Sequence, residues 1–148
     1  MHASAGEPSL AHVHLASGPE FQWVERAVTG AAERLATPRC SAVLSDFADS
    51  EGRTLREVLE GRGLTAREHM KTLWFLRGDD QKACRSRATS AFTVPGGRLV
   101  FVCPTVFRRP VSVHAEVLLI HEFLHTLGLG ENPPTSDAIT AQVARRCA

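Results

Sequence analysis

The sequence contains no tyrosine and only two methionines, Met1 and Met70. No phenolic hydroxyl is therefore on hand to meet negative charge developing in an active site. No apolar run approaches the roughly 20 residues that span a bilayer, so no membrane-spanning helix is expected. Neither sign of charge dominates. Seventeen Lys and Arg stand against sixteen Asp and Glu, which argues against nucleic acid or an anionic membrane as the main partner. There is no CxxC pair, which excludes a four-thiolate zinc site and a thioredoxin-like redox motif. No internal repeat is visible. The first residues, MHASAGEP, hold no apolar stretch, so a leader peptide directing export would lie outside them.

What is present reads as one compact domain. A chain of 148 residues is too short for two good cores, and 43% hydrophobic with 22% charged residues is globular composition. Cys40, Cys84, Cys103 and Cys147 are even in number and allow three pairings. Cys84 with Cys103 is favoured, because the segment between them reads as a turn-rich excursion returning on a strand. Cys40 would then tie the tail at Cys147 back to the first third of the chain. Such bridges imply an exported monomer, secreted or held in the periplasm or cell envelope; four reduced thiols in a cytosolic protein are the alternative.

Residues 1–16 are expected to form a loose arm, in which the alternating His12 and His14 offer a weak metal site. The folded domain is expected over 17–148. Ser17 and Glu20 form a capping box around Pro19, and Phe21, Val24, Val28, Ala31 and Leu35 follow at helical spacing up to Thr37-Pro38. Cys40 to Phe47 is a strand or a helical turn. Thr54 to Glu60 reads as a short helix, and Thr65 with Glu68 opens another through Met70, Leu73 and Trp74 to Gly78. Residues 79–90 are polar loop. Ala91–Val94 and Arg98–Cys103 form a hairpin around Pro95-Gly96-Gly97, and Ser136 caps a last helix from Asp137 to Arg146.

Residues 112–127, SVHAEVLLIHEFLHTL, predict a helix capped by Ser112 after Pro110 and hydrophobic nearly all round. It should lie deep in the core, yet it carries His114, Glu116, His121, Glu122, His125 and Thr126. Burying those groups costs several kcal/mol unless something satisfies them, and a metal ion is the economical answer. His121 and His125 are one turn apart, about 6 Å, and both can reach one ion at about 2.0–2.1 Å. Glu122 is rotated roughly 100° round the helix, where it can meet a water without ligating the ion. By chance HExxH arises in roughly one in 200 chains of this length. The sequel strengthens it: Gly128 can stop the helix in a left-handed conformation, and the turn can return Glu131 as a third ligand.

The stretch Ala115 to Glu131, with HEFLHTLGLGE, resembles the zincin metallopeptidases and specifically the metzincin pattern HExxHxxGxx plus a third ligand. It departs in having Glu at the third position, where His is usual, and in having no methionine downstream for a Met-turn. The resemblance implies an α+β zincin-like domain, mostly helical with a short hairpin or sheet around the HExxH helix. It implies one Zn2+ per chain on His121, His125 and Glu131, with Glu122 as general base in the hydrolysis of a peptide or protein substrate. In the gluzincin arrangement an acidic residue of a later helix, here Asp137, would replace Glu131. His114, His69, Arg108 and Arg109 are the candidates to meet the oxyanion, and strand Leu99–Val102 could carry substrate or be plain core. Alternatives are a zinc-holding scaffold that no longer cleaves, a metal-free disulfide-stapled domain, and hydrolysis of a non-peptide amide.

Overall fold

A computed structural model describes residues 11–15, 19–85, 91–103 and 113–148. The elements run β1 (His12–His14), α1 (Pro19–Leu35), α2 (Pro38–Ser41), α3 (Val43–Asp46), α4 (Leu55–Gly61), α5 (Ala66–Met70), β2 (Trp74–Arg77), a 3-10 turn (Lys82–Arg85), β3 (Ala91–Thr93), β4 (Leu99–Val102), α6 (Val113–Thr126) and α7 (Ser136–Cys147). The result is an α+β fold around a mixed four-stranded sheet in the order β1-β2-β4-β3. β1, β2 and β4 are parallel, and β3 pairs with β4 antiparallel as the expected hairpin.

Strand alternation decides which face is buried. Phe75, Val100 and Val102 are fully covered, whereas Trp74 and Leu99 on the other face are exposed. Thr93 is in register with Val100, so it points to the covered side, where α6 packs against β3. α6 is the hub of the core, in contact with α1, α7 and β3. Leu119, Ile120, Phe123 and Leu124 are at most 1% exposed. Each such side chain contributes about 1.5–3 kcal/mol on burial. α1 meets α6 through the expected stripe of Val24, Val28, Ala31 and Leu35. Gly30 allows closer approach: a Cβ there would sit 2.5 Å from the Glu116 carboxyl carbon. That carboxylate is paired with Arg34 at 2.6 Å, so this polar residue of α6 is satisfied without metal.

Several expectations shift. His12–His14 is an edge strand and not the end of an arm, because its backbone pairs with β2 and both imidazoles stack on Trp74, at 4.3 and 4.8 Å. Cys40–Phe47 resolves into helical turns: Thr37 accepts from the Cys40 amide with Pro38 in the first turn, so Thr37-Pro38 both ends α1 and starts α2. The helix opened by the Thr65–Glu68 capping box stops at Met70, and Trp74–Arg77 is a strand, drawn out by pairing on both sides. α7 is capped by Thr135, one residue before the expected Ser136. The caps expected at Ser17 and at Ser112 after Pro110, with Arg108 and Arg109, lie outside the described residues.

Both disulfides form as expected, Cys40–Cys147 and Cys84–Cys103. The first anchors the end of α7 to α2, beside the Asp46–Arg146 ion pair at 2.9 Å. The second joins the 3-10 turn to the end of β4. No helix among the described residues is long and apolar enough to cross a membrane.

Candidate metal centre

The centre is assembled by one helix and the turn that ends it. His121 and His125 share a face of α6, with their Nε2 atoms 3.0 Å apart. Beyond Thr126 the chain reverses at Gly128, whose φ of +111° is the left-handed region that favours glycine. The Gly128 amide donates to the His125 carbonyl at 2.9 Å and the Leu129 amide to that of Leu124 at 3.3 Å. The reversal has two products. It sets the Leu129 carbonyl 2.6 Å from His125 Nδ1. It also brings Glu131 Oε1 to 3.2 Å from His125 Nε2 and 3.5 Å from His121 Nε2. The three ligand atoms lie within 4.8 Å of one another.

A carbonyl oxygen only accepts, so His125 carries its proton on Nδ1 and presents an Nε2 lone pair. His121 Nδ1 lies 2.8 Å from Thr140 Oγ1 of α7, which can take its proton in the same way. Two ring lone pairs and a carboxylate oxygen then converge with no donor between them, which is the chemistry of a cation site with its outer hydrogen bonds made. Burial, with the neighbouring His125, lowers the His121 pKa to about 4, so its ring is neutral, as a ligand must be. Glu122 is 6% exposed, and its Oε1 has no hydrogen-bond partner among the described residues. Burial pushes its carboxyl up to about 7. Thr93 Oγ1 is likewise buried and unpartnered. A buried carboxylate with one unpartnered oxygen beside a converging donor set fits a site built for an ion and a reacting molecule.

His121, Glu122, His125, Glu131, Thr93 and Thr140 line one cleft of about 550 Å³. One wall is β3, with Ala91, Phe92 and Thr93. β4 lies inside the sheet between β2 and β3, so Leu99–Val102 has no free edge for a substrate; that edge belongs to β3. Asp137 also lines the cleft, but outside the converging ligand atoms, as does the exposed His114. His69 is elsewhere: it is 1% exposed behind α6, where its Nε2 lies 2.9 Å from Thr126 Oγ1. The Thr126 hydroxyl donates to the Phe123 carbonyl at 2.6 Å, so His69 is the donor to it. His12 and His14 join no metal-ligand group among the described residues. Thr140, the Leu129 carbonyl and Thr93 were not foreseen; of these only Leu129, one residue after the expected Gly128 turn, had a local signal. No family model, curated protein or solved structure matches this chain.

Proposed function

We propose that this protein is an exported, zinc-dependent peptidase with a zincin-like domain. The observation that carries this reading is the buried Glu122 carboxylate, with an unpartnered Oε1, in the same cleft as the converging His121, His125 and Glu131. His121, His125 and Glu131 would hold the ion, and two imidazoles with one carboxylate are a donor set that suits zinc. Zinc bound there supplies Lewis acidity, which polarises a carbonyl and acidifies water towards neutral pH.

The chain supplies the rest. Glu122 accepts the proton of the attacking water at its free Oε1 and delivers it to the leaving nitrogen. The edge of β3, unpaired among the described residues, binds an extended peptide by strand addition and lays it along the cleft. With tyrosine absent, His114 is the imidazole in this cleft left to donate to the carbonyl oxygen, since His121 and His125 are ligands. A scaffold that merely held zinc would have no use for a buried Glu122 with an unpartnered Oε1. The two disulfides support export to an oxidising compartment.

The test is zinc content by elemental mass spectrometry together with cleavage of a peptide library. One zinc per chain is expected in the wild type and in Asp137→Ala, and loss of zinc in Glu131→Ala. Glu122→Gln should keep zinc and lose activity by about 10²–10⁴-fold. Wild type that takes up no zinc when it is offered would overturn the reading.

A further inference from the structure

Charge in the cleft is one-sided. Among the described residues its lining includes Glu122, Glu131 and Asp137, and neither lysine nor arginine. A divalent ion would be balanced by Glu131 and Glu122 together. Asp137 then remains, among the described residues of the cleft, as the uncompensated carboxylate. It has no hydrogen-bond or ion-pair partner among the described residues, in contrast to Asp46, Asp49 and Asp79, each of which is held by an arginine. It stands in the first turn of α7. The buried, unpartnered Glu122 and Thr93 oxygens of the same cavity show that the cleft is shaped for something beyond the chain. The remaining wall is apolar, from Phe92, Leu118 and Pro95, and suits the aliphatic stem of a long side chain.

We infer that Asp137 selects substrates with a lysine or arginine side chain next to the bond that is cut. The inference rests on the peptidase reading and adds the substrate class to it. The cavity is on the order of 8 Å across, so a peptide lying on β3 with its scissile carbonyl near Glu122 places a neighbouring side chain within reach of α7. The stem packs on Phe92 and Leu118, and the cationic head meets the Asp137 carboxylate. A charge-assisted hydrogen bond at an exposed rim should give about tenfold discrimination against a neutral isostere.

The experiment uses the zinc-loaded protein and matched synthetic peptides with lysine, norleucine or glutamate beside the cut. Wild type should favour lysine over norleucine by about tenfold in kcat/KM. The ratio should fall to near one in Asp137→Asn and should turn to favour glutamate in Asp137→Arg, both with one zinc per chain. Calorimetric binding of the uncleaved lysine and norleucine peptides to zinc-loaded Glu122→Gln should show the same preference. Cleavage of these two peptides without preference, a preference that survives Asp137→Asn, or zinc lost with Asp137→Asn would each overturn the inference while leaving a peptidase. Neither cleavage nor binding of any peptide by the zinc-loaded wild type would overturn both.

Discussion

One backbone conformation decides whether the ligand set closes. Gly128 adopts a positive φ, and a Cβ there would come 3.3 Å from the Asp49 side chain. Asp49 cannot easily yield, because its carboxylate accepts from the amides of Glu51 and Arg53 and from Arg53 Nε, which also holds its pKa below the usual range. A Cβ at Gly128 therefore meets both backbone strain and a fixed neighbour. Strain of that kind costs about 1–3 kcal/mol. Relaxing it would move the Leu129 carbonyl off His125 and draw Glu131 away. Gly128→Ala is thus expected to lower stability by about 1–2 kcal/mol and zinc affinity by at least about tenfold. Urea unfolding of the metal-free protein gives the first number and competition with a chelating dye the second. Lost stability with unchanged zinc affinity would mean that the turn does not position Glu131.

At the scale of elements, α7 acts as a brace for α6. Its far end is fixed by Cys40–Cys147, by Arg146 on Asp46 and by the Arg34 guanidinium on the Cys147 carbonyl. Ile139 and Val143 are fully buried, and this seating delivers Thr140 to His121. Thr140→Val keeps the shape and removes the acceptor. It should weaken zinc binding by about 10–100-fold while the urea midpoint of the metal-free protein barely moves; equal affinities in the dye competition would show that His121 needs no such support. This contact joins residues 19 apart, and nothing local announces it. Helix α6 was legible because its hydrophobic run and the glycine that follows it are local signals. The α5–β2 boundary was not. The Thr65–Glu68 box correctly marks a helix start, but Trp74–Arg77 becomes a strand only through its neighbours β1 and β4. The same non-local pairing buries β4 and leaves β3 as the edge along the cleft.

For the molecule as a whole, the buried titratable groups set how stability depends on pH. Burial, reinforced by the positive charges of Arg62 and Arg98, lowers the His69 pKa to about 4, and burial with His125 lowers that of His121 to about 4. Between pH 4 and 6.5 the unfolded chain protonates both histidines and the folded chain neither, so each makes stability rise with pH through that window. Glu122 acts in the opposite direction. Its raised pKa, about 7, lets the folded state hold a proton that the unfolded chain has released above about 4.5, which lowers stability as pH rises. Two contributions of one sign and one of the other leave a net rise of roughly 1 kcal/mol per pH unit from about pH 4.5 to 6.5 in the metal-free protein. His69→Gln removes one of the rising contributions and still offers a donor to Thr126. The slope in that variant should therefore fall close to zero. Urea unfolding at half-unit intervals, with the disulfides intact and a chelator present, measures both slopes. Equal slopes in the two proteins would mean that His69 is protonated in the folded state, with its partner and neighbours arranged otherwise than described. Adding zinc at a hundredfold excess over its dissociation constant should raise stability at pH 7 by about 3 kcal/mol. That gain should shrink as the pH falls, because protons compete with the ion for the same imidazole nitrogens.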